Sequence, residues 1–183
     1  MGSDCVTRAL AVATGIKPRK FYGEKSCPFD LYASKLKRTI ELIENDFSDF
    51  FNKIDLNAFP HDEKFNFIHF KKRYNKRIQN FLDIYNSDKK VYYIYSNYKV
   101  LPDEKDITKL YNILKSKRNG KPFELIILAR KNINAPNIIQ IPYDIEIKGP
   151  NTIGTIINMY RQKNRFSEYT KFMKKKLEEV IST

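Results

Sequence analysis

With 183 residues, 42% of them hydrophobic and 14% aromatic, the chain can bury a core as one domain, which excludes a disordered tail and a disulfide-stapled miniprotein. Its 2 cysteines are too few for a disulfide scaffold, so a reducing, cytoplasmic setting is expected, and no apolar run is long enough for a membrane-spanning helix. Lys and Arg number 34 against 21 Asp and Glu, a formal net charge of +13 that suits phosphate-bearing or acidic partners. The densest basic tracts, 71–77 and 171–176, fall on helical patterns with apolar opposite faces, and no recognised nucleic-acid module accompanies them. Solvated faces are therefore favoured over a nucleic-acid site.

In chain order, Met1 to Gly15 carries Val6, Ala9, Leu10 and Ala13 at helical spacing, with Gly15 as the stop. A Gly2-Ser3-Asp4 turn puts Cys5 in the first turn of that helix, where unpaired N–H groups and the positive end of the dipole favour a thiolate. Cys5 reads either as a nucleophile or as a small buried hydrophobe. A nucleophile at such a turn normally follows a buried strand, so the expectation is one domain over 1–183 lacking its first strand.

Ser26-Cys27-Pro28-Phe29-Asp30 reads as a structured turn, with Asp30 expected to cap the next helix. That helix carries Tyr32, Leu36, Ile40, Ile43 and Phe47 as one stripe. The dense apolar run 65–70 predicts a short buried strand with His69 at its end, facing a cleft as base or structural histidine. A helix with Tyr74, Ile78, Phe81, Leu82 and Tyr85 on one side follows. Residues 91–96 predict a strand, Asp103 caps a helix burying Ile107, Leu110, Tyr111 and Leu114 that ends at Asn119-Gly120, and 123–129 predict a second strand. A third strand spans 138–141 and 143–145, broken by Pro142 and hence at an edge or bulge. The segment 152–181 predicts helix. Strands alternating with helices imply an α/β fold, a three-layer sandwich around a mostly parallel sheet, with sites at the carboxyl ends of strands. No phosphate-binding glycine loop and no metal-ligand spacing is present, and no cofactor is expected.

Gly2-Ser3-Asp4-Cys5, Ser26-Cys27-Pro28-Phe29-Asp30, the acidic-aromatic stretch from Leu42 to Phe47 and Phe67-Ile68-His69 together resemble an uncharacterised bacterial family described as papain-like cysteine peptidases. The family has Trp and Asp where this chain has Leu31 and Phe70. The resemblance implies a hydrolase acting on a peptide or other acyl substrate, with a papain-like α+β fold as the alternative architecture. In it Cys5 would attack a carbonyl, His69 would carry the proton and Asp30 would orient His69, with Ser3 and the amides near Cys5 holding the oxyanion. Asp4 beside the thiol would oppose ionisation unless turned away. The Gly-x-x-nucleophile opening is also similar to that of GDSL-type esterases, which place their histidine near the C-terminus, whereas this chain has none after His69. The remaining expectation is a non-catalytic binding domain whose basic surfaces meet polyanionic or cell-surface polysaccharide partners.

Overall fold

The computed structural model describes residues 23, 25–30, 32, 34–52, 54–55, 58–59, 66–96, 101–129, 132–142 and 168–182. The expectations for Ser3, Asp4, Cys5 and the first helix, and for 143–145 and 152–167, lie outside them.

A 3-10 turn, Pro28–Asp30, leads to helix α1, Leu36–Glu44. Leu36, Ile40 and Ile43 are buried along one side of α1, while Tyr32 and Phe47, expected on the same helix, are buried but lie before and after it. Its end departs from what the sequence suggests. Asp46 and Phe47 hold φ of 49° and 62°, and their N–H groups reach back to the carbonyls of Ile43 and Leu42 at 3.3 and 2.7 Å. This is a Schellman closure with aspartate where glycine is usual, and Phe47 and Leu42 supply its apolar contact.

Helix α2, Phe67–Tyr85, overturns the strand expected over 65–70. Asn66 is extended and its Oδ1 accepts from the His69 N–H at 3.1 Å, so Phe67, Ile68 and His69 form a capped first turn. The apolar density that suggested a buried strand is not burial, because Phe67 is 46% and Ile68 76% exposed. The packed residues, Phe70, Tyr74, Ile78, Phe81 and Tyr85, recur every three or four positions instead.

Strand β1, Val91–Ser96, helix α3, Glu104–Arg118, strand β2, Phe123–Ala129, and strand β3, Ile139–Pro142, complete the centre. Asp103 Oδ1 caps α3 by accepting from the Lys105 N–H at 2.8 Å, and Asn119, left-handed at φ 47°, closes it before Gly120. The sheet runs β1-β2-β3 with both pairings parallel, Val91 opposite Phe123 and Ile126 opposite Ile139, and β3 lies at an edge as Pro142 requires. Every residue of β2 from Leu125 to Ala129 is buried, as in a sheet covered on both faces. Tyr93, Tyr95, Leu125 and Ile127 face a core shared with Ile107, Leu110 and Leu114 of α3 and with the rings of α2. A final helix, α4, Glu168–Ile181, buries Leu177 and accepts the Tyr92 hydroxyl at the Ile181 carbonyl, 3.4 Å. The described part is thus a mixed α/β arrangement on a small parallel sheet.

The part of the core nearest the 3-10 turn is built of rings. Phe29 lies 5.4 Å from Phe81 and 5.5 Å from Phe47, Tyr32 stacks on Phe59 at 4.8 Å, and Phe70 stacks on Tyr74 at 4.5 Å. Edge and offset contacts of this kind add about 0.5–1.5 kcal/mol per pair beyond area burial. They join the 3-10 turn and the segments flanking α1 to one another and to α2.

Candidate functional site

Asp30 is 8% exposed, and its position follows from the 3-10 turn. Its Oδ2 accepts from the Cys27 N–H at 2.8 Å while its own N–H donates to the Cys27 carbonyl at 3.2 Å. The carboxylate therefore closes its own turn. The expectation that Asp30 caps the following helix is corrected, since Lys35 stands at the start of α1 and gives no side-chain cap. One residue earlier in the chain, the Ser26 carbonyl accepts from Asn80 Nδ2 at 2.9 Å, which fastens the motif to the second half of α2.

His69 is exposed on the first turn of that same helix. Asn80 lies 11 residues further on, which at about 1.5 Å of rise per residue is roughly 16 Å along the axis. Asp30 is anchored at the level of Asn80 and Phe81, so the structure does not bring it to His69 as an orienting carboxylate. The bond from the Cys27 N–H gives Asp30 a structural part in its own turn.

At the far end of α2 lies a polar group that the sequence alone does not reveal. Arg118, in the last turn of α3, is fully buried at 0% exposure. Its Nη1 donates to the carbonyls of Ile84 and of Tyr85, the latter at 3.2 Å, and its Nη2 to those of Lys89 at 3.0 Å and Pro122 at 2.9 Å. The last turn of α2 has no cation of its own, and Arg118 supplies one to its orphan carbonyls and to the negative end of its dipole. Lys121 Nζ adds a bond to the Asn86 carbonyl at 2.5 Å. A basic residue in the last turn before Asn-Gly is the one signal in sequence, and it reads equally well as an exposed complement to α3's own dipole.

Beside Arg118, Tyr85 and Tyr93 have buried hydroxyls without a hydrogen-bond partner among the described residues. Burial pushes both phenols above their ordinary value of 10.0, with the neighbouring Tyr93 adding to the rise at Tyr85 and Cys27 to that at Tyr93. The nearby Arg118 opposes the rise at Tyr93.

A groove of about 660 Å³ runs along α3, lined by Glu104, Lys105, Thr108, Lys109, Asn112, Ile113, Ser116 and Asn134. Two of its three charges are committed, with Glu104 Oε1 accepting from the Asn134 N–H at 2.8 Å and Lys109 paired to Glu44 at 3.1 Å. Among the described residues no group of three His, Cys, Asp or Glu is placed to hold a metal, and no helix is long and apolar enough to cross a membrane.

The outer face of α2 is different. Lys71, Lys72, Arg73, Lys76 and Arg77 occur with no acidic residue before Asp83. Arg77 lies over the Tyr74 ring at 4.8 Å and Lys71 over the Phe51 ring at 5.7 Å. Lys72 and Lys76 are exposed, and no ion pair reaches either among the described residues. Comparison of the chain with family models, curated proteins and solved structures finds no match.

Proposed function

We propose that this protein is a binding domain for polyanions, with the outer face of α2 as its contact surface. The observation that carries the reading is the placement of Lys72 and Lys76, exposed and one turn apart on a helix stretch without carboxylates. Like charges at that spacing cost an isolated helix about 0.2–0.5 kcal/mol, and Arg73 and Arg77 repeat it. An anionic partner turns the repulsion between Lys72 and Lys76 into attraction. In solution, titration with heparin as a soluble polyanion at rising ionic strength tests this. The expected result is binding that weakens steeply with salt and falls about tenfold or more in the K72E/K76E variant, since each cation near an anionic surface is worth about 1 kcal/mol. Equal binding by the variant refutes it.

A second reading is cysteine-dependent acyl transfer on a peptide or other acyl substrate, with Cys5 as nucleophile and His69 as base. Its support is the sequence resemblance together with the solvent access of His69. The check is the rate of Cys5 alkylation against pH: a thiolate formed below the ordinary range near pH 8.5, and slowed alkylation in H69A, support it. An inert thiol removes it. The three-layer sandwich belongs with these proposals, supported by the contact of Tyr92 on β1 with Ile181 at the end of α4.

A further inference from the structure

The exposed first turn of α2 narrows the kind of polyanion. Ile68 is 76% exposed and Phe67 46%, and Ile68 shares the outward face with Lys72 and Lys76, one and two turns along the same helix. An aliphatic side chain in water beside a row of cations does nothing for a fold that already buries Phe70, Tyr74 and Ile78 from the other face. We infer that this face docks on an anionic lipid bilayer, Ile68 entering the acyl boundary while Lys72 and Lys76 meet the headgroups.

The inference rests on the polyanion reading and deepens it. A second copy of the chain fits poorly, because a twofold contact through this face would set cations against cations. The phosphate backbone of a nucleic acid would satisfy the lysines but give Ile68 nothing to bury against. A bilayer is the partner that uses both.

The test is sedimentation of the full chain with vesicles of phosphatidylcholine alone and of phosphatidylcholine mixed with phosphatidylglycerol, alongside heparin and duplex DNA. Of the two vesicle types, binding only to the mixed one is expected. I68S should weaken it about tenfold while leaving heparin affinity unchanged within about twofold, and K72E/K76E should abolish both. Ile68 is exposed, so an unchanged melting temperature for I68S serves as the folding control. Vesicle binding that ignores I68S, or that is equal on neutral vesicles, overturns the inference. Binding to heparin or DNA without binding to vesicles overturns it and leaves the polyanion reading standing, whereas failure to bind any of them removes both.

Discussion

Arg118 and the Lys72–Lys76 pair are cations of one small molecule put to opposite use. Arg118 is fully buried and spends its Nη1 and Nη2 donors on four backbone carbonyls drawn from α2 and the two segments preceding β1 and β2. Lys72 and Lys76 are exposed and add only mutual repulsion. The difference teaches that net charge says little by itself: of a formal +13, part is fold and part is surface, and only burial and partners separate the two.

The largest test of that contrast is Arg118→Leu. Removing the guanidinium takes its bonds from the Tyr85 and Lys89 carbonyls, while those of Ile84 and Pro122 keep the N–H groups of Ser87 and Val91, so at about 1–3 kcal/mol per lost partner a loss of about 2 kcal/mol or more is expected in urea unfolding. A loss under about 1 kcal/mol would mean that water replaces the arginine and that the contrast is false.

An intermediate effect is expected from the phenols beside Arg118. Burial raises the folded-state pKa of Tyr85 and Tyr93 above 10.0, so their contribution is complete below about pH 10 and is lost as pH climbs through that value toward the folded ones. The urea midpoint should fall above about pH 10, and the Y85F/Y93F double variant should fall less steeply. An identical alkaline slope in the variant would assign the loss to other groups. At neutral pH Y93F should be neutral or slightly stabilising, because the buried hydroxyl it removes has no hydrogen-bond partner among the described residues.

The smallest effect belongs to the outer face. K72E/K76E should change unfolding free energy by no more than about 0.5 kcal/mol, even as it removes binding. A large destabilisation would make those lysines structural and erase the distinction from Arg118.

Where local chemistry decided the outcome, the sequence was a sufficient guide. The strands 91–96 and 123–129 and the helix between them formed where expected, because a β-rich run, an Asp103 cap, a left-handed Asn119 and a continuous apolar run each act over a few residues, although Tyr111, expected on the buried face of that helix, is only half-buried. The 65–70 stretch misled because apolar density was taken for burial, whereas the Asn66 cap had already committed it to helix. Asp30 misled in a related way: its side chain turned back to Cys27 rather than forward, a choice fixed by the 3-10 turn and by the rings packed around Phe29. Arg118 was not legible at all, since the carbonyls it serves lie about 30 residues upstream and just beyond the end of its own helix. Of the proposed acyl-transfer residues, Ser3, Asp4 and Cys5 lie outside the described residues, and Asp30 and His69 stand at opposite ends of α2.

The corner after α1 bends through Asp46 and Phe47 rather than through glycine. Side chains at both positions narrow what the denatured chain can sample there, so strain borne by the native backbone is offset by freedom the unfolded ensemble never had. Glycine at 46 would ease the first and restore the second, while releasing the Lys117 ammonium that Asp46 holds at 2.6 Å. This bend is thus a position where the choice between a permissive residue and a restrictive one is weighed on both sides of the folding equilibrium.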